Sequence, residues 1–331
     1  MPLPLLARRA ALSAGALLLS SIVVLASGAA QAAPAAYSLL VFPDQGRTAV
    51  YDFIGSAAKS VDVTMYELHD AKVVNTLVSR SKAGVKVRVI LDAKRTAVNG
   101  AAYRALKSAG VGVVYSSSDY AFTHQKTITV DGVKSLVLTG NLDSAYYASS
   151  RDYGVFDTDT ADVTAIEKVF AADYARTAVT PADGDDLVWS PTDSEERLLA
   201  LINGARYSLD LEQLEFGDST LVDAVVAAEE RGVQVRLVGM NPDSYGSYFD
   251  QVKEAGGKVV TFSSAKGLYI HAKAIVADYG TPTAKVFAGS ENFSDNSLSN
   301  NRELGLIINS PDVLNGIEST FKTDFAAGTP Y

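Results

Sequence analysis

Apolar positions along this chain follow two rhythms. Short stretches alternate apolar and polar residues, which predicts strands; between them apolar residues recur at three- and four-residue spacing, which predicts helices. Residues 61–66 alternate like a strand. Asp70 can cap a helix whose apolar face is Val73, Val74, Leu77 and Val78, stopping before Gly84. Residues 85–91 predict a second strand, with Val87, Val89 and Leu91 on one face. Residues 103–109 read as a helix stopped by Gly110, and 112–115 as a short strand. Segments 125–130 and 135–138 flank Asp131-Gly132, a strong hairpin signal. A strand over 153–156 and a closing helix over 163–176 complete the pattern.

The same order then returns. Gly84-Val85-Lys86-Val87-Arg88-Val89 matches Gly232-Val233-Gln234-Val235-Arg236-Leu237, His124 matches His271, and Arg151-Asp152-Tyr153-Gly154 matches Arg302-Glu303-Leu304-Gly305. Offsets of 146 to 151 residues mark a duplicated domain, not a solenoid. Strands alternating with helices predict an α/β fold: two homologous α-β-α layered domains with mixed, largely parallel sheets, related by a pseudo-twofold axis. The expected boundaries are 33–180 for the first domain, 181–191 for a linker and 192–331 for the second. Such a chain is expected to be a monomer containing an internal pseudo-dimer.

Residues 1–32 depart from both rhythms. Arg8-Arg9, an apolar run over 10–26 and Ala30-Gln31-Ala32 have the order of a cleavable signal peptide, which predicts a secreted protein; the alternatives are an N-terminal membrane anchor and, from the arginine pair, twin-arginine export. Removing this segment takes the formal charge from −9 to −9 − 2 = −11. So acidic a surface does not attract polyanions at long range, although a local basic groove can oppose it. With no cysteine, disulfides, thiolate metal sites and cysteine nucleophiles are excluded.

The chemistry lies in the repeat. His124-Gln125-Lys126 and His271-Ala272-Lys273 use two of the three histidines, and each is followed by an aspartate, Asp131 or Asp278. On a strand, residues i and i+2 share a face at about 6.6 Å, so each His and Lys point the same way. Asp131 and Asp278 lie at odd spacing from the lysines and at a turn, which predicts a supporting role. After each hairpin come Thr139-Gly140-Asn141 and Ser290-Glu291-Asn292, whose hydroxyl and amide again share a face. Two His, two Lys, two Asn and two hydroxyls meeting across a twofold axis form a donor-rich pocket suited to a phosphoryl group. A zinc site is opposed by the neighbouring lysines, so no metal and no cofactor is expected. His69 has no counterpart and reads as a surface or capping residue. Glu67 and Glu215 recur and either line the pocket or support the sheet. Lys94-Arg95 is a solvated loop or a weak phosphate handle.

These residues resemble the phospholipase D superfamily, whose pattern is H-x-K-x-x-x-x-D followed by G-S-x-N. The second half carries Gly289-Ser290-Glu291-Asn292; the first departs from it with Leu138-Thr139-Gly140-Asn141. The resemblance implies a metal-independent, two-step reaction through a phosphohistidine, with His124 as nucleophile and His271 as general acid. It implies that Lys126, Lys273, Asn141 and Asn292, with the hydroxyls of Thr139 and Ser290, hold the phosphate, and that Asp152 and Glu303 orient the histidines. Glu303 is expected beside the His271 motif. Phospholipid at a membrane surface is the expected substrate. Export, acidity, the aromatic segments Tyr120-Ala121-Phe122 and Leu268-Tyr269-Ile270, and Tyr245, Tyr248 and Phe249 favour it, unless those aromatics are core residues. Nucleic acid is the alternative substrate, and a non-catalytic binding scaffold the remote one.

Overall fold

The computed structural model describes residues 1–2, 36–263 and 267–331. The body of the expected signal peptide lies outside the described residues. Ala35–Tyr331 form one unit, and among the described residues no helix is long and apolar enough to cross a membrane.

In the first half the strands are β1 (Tyr37–Phe42), β2 (Ser60–Met65), β3 (Leu68–His69), β4 (Lys86–Leu91), β5 (Gly112–Tyr115), β6 (Lys126–Val130), β7 (Lys134–Leu138), β8 (Leu142–Asp143) and β9 (Ser150–Asp157). Its helices are α1 (Thr48–Gly55), α2 (Ala71–Lys82), α3 (Thr96–Ser108) and α4 (Thr160–Ala175). The second half has β10 (Leu187–Ser190), β11 (Ser208–Gln213), β12 (Gln234–Met240), β13 (Lys258–Phe262), β14 (Tyr269–Ile270), β15 (Lys273–Ala277), β16 (Lys285–Gly289), β17 (Glu303–Ile308) and β18 (Thr329–Pro330). Its helices are α5 (Ser194–Gly204), α6 (Ser219–Glu230), α7 (Pro242–Glu254) and α8 (Pro311–Ala327).

The two main sheets run β1-β9-β7-β6-β2-β4-β5 and β10-β17-β16-β15-β11-β12-β13, so the duplication holds strand for strand; β14 adds to the first and β18 to the second. Both sheets are mixed, but parallel pairing does not dominate. Within the main orders it is confined to β2-β4-β5 and β11-β12-β13. Each hairpin places two antiparallel strands beside the parallel set, and β1 and β10 close the edges antiparallel. Residues 187–190 of the expected linker are therefore not a linker: they form β10, paired with β17.

Local chemistry accounts for these elements. Asp131 and Gly132 have φ of 57° and 67°, the doubly left-handed turn that suits a twisted hairpin. The Asp131 carboxylate then accepts the backbone N–H groups of Ala58, Lys59 and Ser60 at 2.6–3.1 Å. Asp278, with φ 55°, does the same for Arg206, Tyr207 and Ser208 at 2.7–3.3 Å. The aspartate of each H-x-K-x-x-x-x-D stretch thus staples the hairpin to the start of the neighbouring central strand. Asp70 caps α2, accepting from the N–H of Lys72 and Val73.

Among the described residues, three of four apolar clusters account for most of the layer packing. In the first, α1, α2 and α3 cover one face of the first sheet through Ile54, Leu77 and Leu106 against Val61, Val63, Val87 and Val89. The second repeats this with α5, α6 and α7. Phe249 is fully buried there, with Tyr245 and Tyr248 packed beside it, so these three aromatics belong to the core. The third joins the halves: Tyr153 and Val155 of β9, Ile166 and Val169 of α4, Leu304 and Leu306 of β17, and Val313 and Ile317 of α8. Each such fully buried aliphatic side chain contributes about 1.5–3 kcal/mol. Reciprocal ion pairs fix the register. Arg151 of β9 binds Asp324 on α8 at 2.5 and 3.0 Å, and Arg302 lies 3.0 Å from Asp173 on α4.

Candidate active site

The segment before each histidine crosses to the other half. β14 pairs parallel with β9, and His271 N–H donates to the Arg151 carbonyl at 3.1 Å. Its counterpart, Thr123, bridges to Arg302, and His124 N–H donates to the Arg302 carbonyl at 2.9 Å. This exchange sets each histidine against the carboxylate that follows the other half's arginine. His124 Nδ1 lies 2.6 Å from Glu303 Oε2, and His271 Nδ1 lies 2.9 Å from Asp152 Oδ1. The pairing expected from the sequence, Glu303 beside His271, is crossed: Glu303 serves His124.

With Nδ1 turned to a carboxylate, Nε2 is the ring nitrogen left for chemistry. Both histidines line one cavity of about 310 Å³ with Asn141, Asn292, Asp152, Arg47, Arg95, Glu67, Asp143, Glu215 and the tyrosines 66, 146, 147 and 269. Tyr66 meets the His124 ring edge-on at 4.6 Å between centroids. Lys126 and Lys273 are fully buried beneath it. Lys126 Nζ donates to the His124 carbonyl, and Lys273 Nζ to the His271 carbonyl at 2.5 Å and to that of Thr139 at 3.4 Å.

The carboxylates have different supports. Asp152 accepts the hydroxyls of Thr139 at 2.9 Å and Ser150 at 2.7 Å, with Arg47 at 3.9 Å. Glu303 accepts Ser297 Oγ at 2.5 Å and Asn301 Nδ2 at 2.9 Å. Thr139 also accepts the N–H of Tyr153, and Ser290 that of Leu304. Both hydroxyls are therefore engaged in the scaffold and do not line the cavity, contrary to a phosphate-binding role for Thr139 and Ser290. The amides do line it. Asn141 Nδ2 donates to Glu67 at 3.0 Å, and the Oδ1 atoms of Asn141 and Asn292 are buried without partners. Glu67 also holds Arg95 Nε at 2.7 Å, which brings the Lys94-Arg95 loop to the site. His69 is exposed and pairs with Asp143 at 3.2 Å.

Burial pushes His124 down to about 4, against the pull of Glu303, and Lys126 adds to the depression. His271 is lowered by burial and then by Lys273, against Asp152. Burial brings Lys126 to about 7 and Lys273 to about 8, each opposed by the carboxylates Glu303 and Asp152. Although burial works against it, the charge and hydrogen bond of His271 hold Asp152 well below the usual carboxylate range. Burial thus opposes the charged form of both imidazoles, their carboxylates favour it, and an entering anion adds to the carboxylates' side. Among the described residues no three His, Cys, Asp or Glu side chains are grouped to hold a metal ion.

Arg47, Ser150, Ser297 and Asn301 carry no motif signal; they are reached only once the chain is folded around Asp152 and Glu303.

Residues 50–174 and 198–325 match the family described as cardiolipin synthase, PLD-like domain, and the chain belongs to the phospholipase D superfamily. It is 25% identical to cardiolipin synthase A of Pseudomonas syringae pv. syringae (strain B728a), over 87% of this chain and 68% of that protein. Phosphatidylserine synthase of Haemophilus influenzae Rd KW20 superposes with a TM-score of 0.68 at 12% identity, over 87% of this chain and 86% of that one. Polyphosphate kinase of Porphyromonas gingivalis gives 0.68 at 17% identity over 87% of this chain, which spans half the length of that structure. The two structural likenesses establish the shared fold.

Proposed function

We propose that the protein acts on phospholipid head-group phosphodiesters through a covalent phosphohistidine. One observation carries the reading: two buried histidines, each held at Nδ1 by a carboxylate of the opposite half, face a single cavity. In the first step His124 Nε2 attacks phosphorus, the ester bond to the leaving alcohol breaks, and His271 gives its proton to the departing oxygen. In the second, the O–H of water or of an acceptor alcohol attacks phosphorus, its proton passes to His271, and the P–N bond to His124 breaks. Asp152 and Glu303 stabilise the positive ring at each stage. Lys126 and Lys273 supply positive charge under the phosphate, and Asn141 and Asn292 donate to it.

Water gives hydrolysis, the phospholipase D outcome; an alcohol gives transfer. The relatives named as synthases support transfer as a main outcome, and one intermediate serves both. A nuclease is the second reading within the superfamily, but the carboxylates of Asp143 and Glu215 in the cavity wall and a mature charge of −11 oppose a polyanion. We place the enzyme outside the cytoplasm, as a monomer, on the signal-like segment and the internal duplication. The test is to incubate the chain from residue 33, in EDTA, with phosphatidylcholine, phosphatidylethanolamine or phosphatidylglycerol vesicles, with and without added alcohols, and separately with single- and double-stranded DNA. Head-group release or exchange without DNA cleavage is expected. Cleavage of DNA alone would overturn the lipid reading.

A further inference from the structure

The duplication puts Glu67 and Glu215 at matching places, each just beyond a central strand, β2 or β11, and both on the cavity wall. Their surroundings differ. Glu67 is buried, with Arg95 on one carboxylate oxygen and Asn141 on the other, so the protein supplies its counter-charge. Glu215 is half-buried, and among the described residues no hydrogen bond or ion pair engages its carboxylate. The sequence gives the cause. Arg95 follows β4, whereas Asn241, Pro242 and Asp243 follow β12, and no cation comes before Lys253. Asn292, the counterpart of Asn141, makes no hydrogen bond to Glu215; it is buried and its Oδ1 has no partner.

Aromatic rings complete this side of the cavity. Tyr269 and Tyr146 both line it, their centroids 6.4 Å apart. Beyond burial, the Glu215 charge raises the Tyr245 hydroxyl to about 12, and the Tyr269 hydroxyl is raised by Asp152 and Tyr146 and then by Glu215, so both rings lie within its field. A half-buried carboxylate that lies in the field of Lys273 but that no hydrogen bond or ion pair engages among the described residues, beside rings whose faces attract cations, suits a positive group. Arg95 on Glu67 shows the completed version of the pair.

We propose that a positively charged nitrogen of the substrate occupies at Glu215 the role that Arg95 plays at Glu67. Resting on the phosphodiester reading above, the cavity then selects phosphodiesters in which one esterified alcohol carries an ammonium group, held by Glu215, Tyr269 and Tyr146. A neutral polyol arm such as glycerol would leave the Glu215 carboxylate without a directly paired cation.

Glu215→Gln tests this, since it keeps the shape and removes the charge; its thermal midpoint confirms folding. Choline is titrated into wild type and variant by calorimetry or NMR, with glycerol as the neutral control. Wild type is expected to bind choline more tightly than glycerol, and the variant to bind choline about 10- to 100-fold more weakly, the scale of a lost hydrogen-bonded charge contact. On vesicles, the kcat/KM ratio of phosphatidylcholine to phosphatidylglycerol is expected to fall by a similar factor. Equal choline binding in both proteins, or no preference over glycerol, overturns the assignment. Should no phospholipid be turned over, the proposed function fails, while choline binding still decides the subsite.

Discussion

Replacing Glu303 by Gln probes the crossed histidine–carboxylate pairing with the least disturbance. Ser297 Oγ and Asn301 Nδ2 both donate to Glu303 Oε1, so an amide carbonyl can keep those two bonds. The amide NH₂ then faces His124 Nδ1, where Glu303 Oε2 now lies at 2.6 Å. An NH₂ donor there forces Nδ1 to accept and moves the ring proton to Nε2, the nitrogen that must attack. Independently, the positive phosphohistidine loses a negative charge. With charge centres about 4 Å apart and an effective dielectric near 20, that loss is worth about 4 kcal/mol, or about 10³ in rate. The expected result is a fall in kcat/KM of about 10²–10³ or more on a chromogenic phosphodiester, with the thermal midpoint little changed because the site's bonds to Ser297 and Asn301 persist. A loss below about tenfold in a well-folded Glu303→Gln protein would show that the carboxylate does not govern His124.

Other consequences are equally open to measurement. Asp131→Ala removes the acceptor for three backbone N–H groups and is expected to lower stability by about 1–3 kcal/mol in chemical denaturation, while kcat per folded molecule stays near wild type; a large kcat loss would give Asp131 a part in the chemistry. Because His124 must be neutral to attack and is held near 4, kcat/KM should persist as pH falls past 6.5 and decline only toward about 4. An acid limb centred at 6.5 would contradict the burial of that ring. Asp157 is fully buried, with Oδ2 unpartnered, and burial, then the neighbouring Asp162, raises it to about 8. Between 3.8 and about 8 the native state keeps a proton that the unfolded chain has released, so stability falls as pH rises across that window. The thermal midpoint of Asp157→Asn should therefore gain on wild type between those pH values and run parallel above them; parallel curves throughout would refute the assignment.

The duplication and the hairpins are legible in the chain because both rest on local signals. Asp131-Gly132 specifies its turn through two left-handed residues, and the alternation of Val87, Val89 and Leu91 specifies the face of β4 toward the first core. The balance of parallel and antiparallel pairing is not legible, because it depends on which strands meet, and neither is β10, four residues set against β17 by long-range pairing alone. At the site, the H-x-K spacing identifies the histidines and lysines. The partner of each histidine is hidden, because Arg151-Asp152 and Arg302-Glu303 act across the interface between halves. The hydroxyls of Thr139 and Ser290 mislead for a related reason: strand parity puts hydroxyl and amide on one face, but the hydroxyl is already engaged by the neighbouring strand at Tyr153 or Leu304. Glu67 and Glu215 look alike in sequence and differ only through the loops after β4 and β12.

The covalent step is the centre of the account, and trapping it is the most direct test. Wild type and His124→Ala are mixed with a phosphodiester substrate, quenched in base within the turnover time, digested and analysed by mass spectrometry. A phosphoryl-linked adduct is expected on the peptide containing His124 in wild type, and neither adduct nor turnover in His124→Ala. Continued turnover by His124→Ala, or turnover by wild type with no histidine adduct at any quench time, would contradict it.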